Sequence, residues 1–219
     1  MSVAGTIVLG AGGHSKVVVD TLIASSVVVV GLTDIDLARQ GTLVLNIPVI
    51  GTDNEILKYA TDGIVLALGI GSVRASTLRE KVFQKYTSLG YSFPKIVHPS
   101  AILSSVVHIG EGVQIMAGCI VQAGVEIGDN SILNTGAQLD HDCIIGKNVH
   151  ISPGANLSGG VVVEDGAHVG VGATIIQGVR VGARSTVGAG AVVVKDVPPD
   201  TIVFGVPARE VKSQVRSSL

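Results

Sequence analysis

From Val97 to Val193 an aliphatic side chain falls at every sixth position of the chain without interruption. Cut into sixes, the run reads VHPSAI, LSSVVH, IGEGVQ and onward to VVKDVP, seventeen hexads over 102 residues. Every first position is Val, Ile or Leu, and every fifth is Ala, Val, Ser or Cys. Second and fourth positions favour Gly, Asp and Asn, which tolerate tight or left-handed backbone. This pattern predicts a parallel β-helix in which each hexad is a short strand and a turn. Three hexads then make one triangular coil, with the aliphatic first position inside and the small fifth beside it near the corner. Coils stacked at the ordinary strand spacing give a prism roughly 27 Å tall.

The first ninety-six residues follow a different rhythm. Thr6 to Leu9 reads as a buried strand that ends in the turn Gly10-Ala11-Gly12-Gly13-His14. A helix is expected from Ser15 to about Ser25, then a strand from Val27 to Leu32 ending at Thr33-Asp34. A third strand, Ile64 to Leu68, ends in Gly69-Ile70-Gly71, and Ser72 is placed as the N-cap of a helix reaching Ser88. Strands alternating with helices imply a small parallel sheet with right-handed crossovers. Ligands of such sheets bind at the C-terminal strand ends, so the three turns converge on one crevice. The first turn is GxGxxS rather than GxGxxG, and N–H groups at the start of its helix suit a phosphate or pyrophosphate. Fewer than a hundred residues supply only half of a dinucleotide fold. One nucleotide diphosphate fits better than NAD. The chain accordingly divides into an α/β unit over 1–96, a β-helix over 97–198 and a C-terminal cap or tail over 199–219.

Composition narrows the function. Charged residues make up 15 % and aromatics 3 % of the chain, with 29 glycines, and the mean hydropathy of +0.57 is the reverse of a disordered composition. No apolar run approaches the ~18 residues of a membrane span, and no basic segment precedes an apolar core as in a secretory signal. A net charge of −2 leaves no field for nucleic acid. The only cysteines, Cys119 and Cys143, sit at inward fifth positions on different faces, as buried thiols rather than a nucleophile or a disulfide. The cytoplasm is the expected compartment.

The GAGGH turn joined to hexapeptide repeats resembles the sugar O/N-acetyltransferases of the hexapeptide-repeat acyltransferase superfamily. That group includes sialic-acid O-acetyltransferases and N-acetyltransferases of nucleotide-linked 4-amino-4,6-dideoxy sugars of the bacillosamine and perosamine type. Further carriers of the resemblance are Leu139-Asp140-His141-Asp142-Cys143-Ile144-Ile145-Gly146, His150-Ile151-Ser152-Pro153-Gly154-Ala155, Val194-Lys195-Asp196-Val197-Pro198 and Gly205-Val206-Pro207-Ala208. The resemblance implies a left-handed β-helix and a homotrimer. It also implies that His141 is the general base and that Asp142 raises its basicity. Acetyl-CoA, the co-substrate, would be met by His150, by the backbone N–H of Gly159 at its acetyl carbonyl, and by backbone near Val171 and Ala189. The nucleotide-linked sugar would be held by Gly12, Gly13, His14, Thr33, Asp34 and Gly69.

The residues read alone agree in outline. His141 occupies a third position, outside the inward aliphatic set, between two carboxylates that favour and orient an imidazolium. Such a base can take the proton of an attacking amine near neutral pH, while a fixed N–H stabilises charge on the acetyl oxygen. His150 and His168 stack on successive coils about 4.8 Å apart, but His141 lies half a coil from His150 and could complete a zinc site only from a neighbouring chain, so no metal is expected. His98 and His108 make no stronger claim. The expected reaction is transfer of acetyl to the 4-amino group of a UDP- or GDP-linked sugar. O-acetylation and non-catalytic nucleotide-sugar binding stand as the other readings. Apolar sixth positions stacked on outer edges, Ile102 over Ile120 and Ile144 over Val162, point to a trimer interface.

Overall fold

The computed structural model describes residues 5–72 and 77–211. The N-terminal sheet has five strands: β1 (Thr6–Leu9), β2 (Val29–Thr33), β3 (Leu43–Val44), β4 (Ile47–Gly51) and β5 (Val65–Leu68). Their spatial order is β3-β4-β2-β1-β5. All neighbours are parallel except the β3–β4 hairpin at one edge. The hairpin and two short 3-10 turns, Leu37–Arg39 and Asp53–Lys58, fill the stretch between β2 and β5 in which the sequence pattern gave no element.

Helix α1 (Gly13–Ala24) starts two residues earlier than expected, so the Gly12-Gly13 turn leads straight into its first N–H groups. Helix α2 is Leu78–Ser88 with Thr77 at its N-cap, not a helix capped by Ser72. The hydroxyl and carbonyl of Ser72 both face Nδ1 of His150 instead. A contact 78 residues away takes the place of the local cap.

From Ile96 onward the chain winds into a three-sided β-helix. Each two-residue strand pairs in parallel with the strand eighteen residues on, as in Ile120 with Gln138 and His150 with His168. One face carries the strands from Ile102–Leu103 to Val192–Val193, a second those from His108–Ile109 to Arg180–Val181, and a third those from Ile96–Val97 to Thr186–Val187. Ile202–Phe204 adds a last parallel rung to the third face and turns back on Arg209–Glu210. The interior is one aliphatic column built from first and fifth positions, with Cys119 and Cys143 inside it.

Second and fourth positions both favour Gly, but for different reasons. Fourth positions hold the left-handed backbone, including Asn130, Asp142, Asn148 and Arg184. Second-position glycines such as Gly128 have ordinary φ. A Cβ there would stand 2.7 Å from the backbone of Gly146 on the next coil, so it is coil spacing that excludes a side chain.

The N-terminal unit rests on the third face. Ile96 and Met116 pack with Val18, Leu22 and Ala67 in one core, and the Thr21 hydroxyl donates to Met116 Sδ at 3.5 Å. Elsewhere the sixth positions point to solvent, and Ile102 and Ile144 are 64 % and 47 % exposed.

Candidate active site

The turn between the first and second faces carries His141. Its N–H donates to Asp140 Oδ1 at 2.8 Å, which fixes the backbone. Asp142 has φ 59, a left-handed conformation that Asp tolerates. Its carboxylate thereby comes back beside the ring, where Oδ2 accepts from Nδ1–H at 2.8 Å. Asp142, and then Asp140, raise the His141 pKa above its ordinary value. With Nδ1 committed to Asp142, the lone pair of the neutral ring is on Nε2, and the ring is about half exposed.

Gly159 lies one coil further on at the same corner. A Cβ on it would meet Cε1 and Nε2 of His141 at 2.5 Å. Its φ is not left-handed, so glycine is needed there for the space the imidazole occupies. The N–H of Gly159 donates no hydrogen bond among the described residues. Some third-position N–H groups are taken up by carboxylates, as Lys147 is by Asp165 and Ala183 by Glu164. Those of Val171 and Ala189 are also without an acceptor among the described residues.

These groups do not all meet in one chain. Val171 and Ala189 stand at the corner between the third and first faces, and His141 and Gly159 at the corner opposite the third face. His150 lies on the third face, buried under the N-terminal unit, beside His14 rather than beside Gly159.

A second constellation forms where the N-terminal turns meet the third face. A cleft of about 530 Å³ is lined by Gly13, His14, Gly71, Ser72, Asn134 and His150 among others. Gly10 N–H donates to Thr33 O and Gly69 N–H to Leu9 O, which ties the three turns together. Gly69 is wedged between Gly10 O and Ser15 Cβ, with no room for a side chain. Ser15, in the place of a third fingerprint glycine, donates its hydroxyl to Gly12 O at 2.6 Å. A Cβ on Gly12 or Gly13 would meet nothing within 4 Å. The start of α1 therefore stays open to an anion, with no acidic side chain in its first turn.

Hydrogen bonds fix both histidines. Gln114 donates Nε2–H to Leu68 O, so its Oε1 accepts from His14 Nε2–H at 3.0 Å. Thr135 N–H donates to Asn134 Oδ1, so Asn134 Nδ2 donates to His150 Nε2 at 3.2 Å, and His150 Nδ1–H faces Ser72 O. Burial lowers His14 to about 4 and His150 to about 3, so both are neutral near pH 7.

Thr33 and Asp34 differ from the sequence expectation of direct ligand contact. Thr33 is fully buried with its hydroxyl donated to Asp53 at 2.6 Å, so its side chain is not presented to the cleft. Asp34 accepts from Ala11 N–H at 2.8 Å and holds the glycine turn. Arg39, passed over in the sequence, donates to Ala11 O at 2.7 Å beside it. Gln114, Asn134 and Ser72 were also passed over. Gln114 did leave a sign, since polar sixth positions recur on one face as Gln114, His150, His168 and Thr186. Both cysteines are buried, and burial pushes each thiol up to about 11. Among the described residues no group of three or more His, Cys, Asp or Glu could hold a metal ion, and no helix is long and apolar enough to cross a membrane.

The fold recurs over nearly the whole chain in a solved relative. It is the perosamine N-acetyltransferase from Caulobacter crescentus, solved as a histidine-to-asparagine mutant in complex with CoA and GDP-perosamine. The two chains are 40 % identical over 97 % of this chain and 99 % of that one, with a TM-score of 0.89. This chain belongs to the hexapeptide-repeat sugar N-acetyltransferases. Within that family, the acetyltransferase domain of PglB from Neisseria gonorrhoeae, in complex with acetyl coenzyme A, is 35 % identical over 96 % of this chain and 100 % of that one, with a TM-score of 0.88. WeeI from Acinetobacter baumannii is 28 % identical over 94 % and 99 %, with a TM-score of 0.84. The family described as PglD N-terminal domain matches residues 6–86, the bacterial transferase hexapeptide family 106–141 and the hexapeptide repeat of succinyl-transferase 160–195. No curated protein matches the chain. As a hexapeptide-repeat sugar N-acetyltransferase, the chain is an α/β unit followed by a left-handed parallel β-helix, and an acetyl-CoA-dependent enzyme.

Proposed function

We propose that the protein transfers acetyl from acetyl-CoA to the 4-amino group of a nucleotide-linked 4-amino-4,6-dideoxy sugar. The observation that carries this reading is the His141–Asp142 pair over Gly159, with Nε2 and the Gly159 N–H both uncommitted. The sugar amine attacks the thioester carbonyl and forms the C–N bond. Nε2 of His141 accepts the proton the amine loses, and the Gly159 N–H faces the charge that gathers on the acetyl oxygen. The C–S bond breaks, and the proton held on His141 passes to the CoA thiolate. No acyl-enzyme is needed, in keeping with two buried thiols of high pKa.

In this reading residues 1–96 bind the nucleotide. The start of α1 with Gly12 and Gly13 takes the diphosphate, while His14 lines the cleft and the buried Gly69 packs beneath the first turn. Asp34 and Thr33 hold the turns in place. Residues 97–198 carry the transfer, with CoA running along the N–H groups of Val171 and Ala189, and residues 199–211 close the end of the β-helix. His150 serves the acceptor side together with Asn134. Both substrates are metabolites of the cytoplasm, the proposed compartment, and no metal takes part.

The active protein is proposed to be a homotrimer with each site shared between chains. The supporting fact is positional: the N-terminal unit rests on the third face, and His141 stands at the opposite corner. A sugar anchored in one chain's cleft then reaches the His141 of a neighbour. The deciding assay follows free thiol while the protein meets acetyl-CoA and a panel of UDP- and GDP-linked 4-amino sugars. Turnover with a 4-amino sugar and none with its 4-hydroxy counterpart supports N-acetylation. Turnover with sialic acid or only with hydroxyl acceptors replaces that reading by O-acetylation, and no turnover at all overturns it.

A further inference from the structure

Arg79, in the first turn of α2, is only 4 % exposed, and its acceptors are all backbone carbonyls. Nε donates to Asn130 O at 3.2 Å, and one terminal nitrogen donates to Leu68 O at 3.3 Å and Ile70 O at 2.8 Å. The guanidinium therefore joins the turn around Gly69 to the β-helix. Leu68 O also accepts from Gln114, which in turn holds His14. The second terminal nitrogen of Arg79 has no partner, and Arg79 makes no ion pair among the described residues.

A buried charge is costly unless something balances it. Carbonyl dipoles solvate the guanidinium but leave its full charge in place. That charge is felt across the cleft, where it disfavours the imidazolium of both His14 and His150. Burial lowers Arg79 itself to about 9, which still leaves it a cation at neutral pH. The two histidines that feel its charge are neutral, so an anionic ligand is what the cleft lacks.

We propose that Arg79 is the fixed positive charge of the nucleotide cleft, a positioning residue that anchors the Leu68–Ile70 turn and is balanced when a nucleoside diphosphate binds. The inference rests on the nucleotide-sugar reading above and names the residue that supplies its electrostatics. Arg79 acts through the field and the turn, so replacing it weakens ligands in proportion to their phosphate charge and leaves the nucleoside moiety unaffected.

The experiment compares the whole protein, R79M, R79K and R79Q by calorimetry with UDP, GDP, uridine and guanosine, after circular dichroism has established the fold of each. R79M exchanges a buried cation for an apolar chain of similar length, at the cost of leaving the carbonyls of Asn130 and Ile70 without this donor. R79Q keeps a donor for the carbonyls and gives the same reading should R79M not fold. The expected result is that R79M or R79Q weakens the diphosphate that the wild type binds by about tenfold or more, with nucleoside affinity unchanged. R79K recovers most of the loss. In turnover, KM for the nucleotide-linked sugar rises while KM for acetyl-CoA does not. A folded neutral variant with the wild-type ratio of diphosphate to nucleoside affinity overturns the proposal, as does an R79K protein as impaired as R79M. A wild type that binds neither diphosphate removes the nucleotide reading of the cleft, and Arg79's role falls with it.

Discussion

The imidazole of His141 occupies the space that a side chain on Gly159 would need, with Cε1 and Nε2 each 2.5 Å from where a Cβ would stand. Base and oxyanion donor are thus one coil apart, and each constrains the other. Gly159→Ala is expected to fold normally, because its backbone is not left-handed, but to push the ring off Asp142. Activity falls by about ten- to a hundredfold, less than the 10²- to 10⁴-fold of a lost base because the ring is displaced rather than removed. The neighbouring Gly160 has φ 66 and open space around it, so Gly160→Ala costs about 1 kcal/mol of backbone strain. Thermal melts and steady-state rates on the pair separate the two effects. A Gly159→Ala enzyme of wild-type rate would remove the contact from the mechanism.

His141 must be neutral at Nε2 to accept a proton, and Asp142 raises its pKa. The acid limb of kcat/KM is therefore expected to have its midpoint above 6.5, with rate rising as pH rises through it. Asp142→Asn removes the largest cause of the shift and moves the midpoint down, with a mild loss of rate. His141→Asn keeps the fold and loses about 10²- to 10⁴-fold. A profile whose acid limb ignores Asp142→Asn argues against the pair.

Protonation of the cleft histidines is expected to destabilise the fold in acid. Their folded pKa values, about 4 for His14 and about 3 for His150, lie below the unfolded value of 6.5. The unfolded chain therefore takes up protons first. Stability is fully present above pH 6.5 and is lost as pH falls toward 4, at a slope of roughly 1 kcal/mol per pH unit for each histidine. Urea melts from pH 7 to pH 4 measure it, and His150→Gln should flatten the slope. An unchanged slope in that variant assigns the acid sensitivity elsewhere.

Ile144 and Val162 are paired neighbours on the second face. A shallow groove runs along that face beside Ile144, from His108 and Glu126 to Lys147. Replacing both Ile144 and Val162 by Asp is expected to break a trimer and abolish activity together, since one chain does not join His141 to its own cleft. Light scattering distinguishes three chains from one chain of 22.2 kDa. A fully active species at the single-chain mass contradicts a shared site.

The buried thiols lead to a simpler expectation. Cys119→Ala and Cys143→Ala leave the chemical step intact and cost stability of order 1 kcal/mol each. An acetylated cysteine caught by mass spectrometry would establish a covalent route instead.

Much of this molecule is written in its local pattern. The six-residue repeat puts Val, Ile and Leu inside, fixes the coil at eighteen residues and turns Cys119 and Cys143 inward. The same register places His141 at a corner, and the spacing of eighteen places Gly159 over it. Such features are legible because each depends on backbone geometry within a few residues or on the neighbouring coil. What tertiary structure alone decided is which of three similar faces the N-terminal unit covers. A period of six treats the faces alike, and the choice rests on contacts between residues up to about a hundred apart, such as His14 with Gln114 and Thr21 with Met116. That choice buries His150 beside His14, takes Ser72 away from a helix cap and leaves His141 on the far corner. It also gives Arg79 its place. A helical arginine reads as a solvated surface charge in the sequence, and only docking against Asn130 and the Leu68–Ile70 turn withdraws it from water.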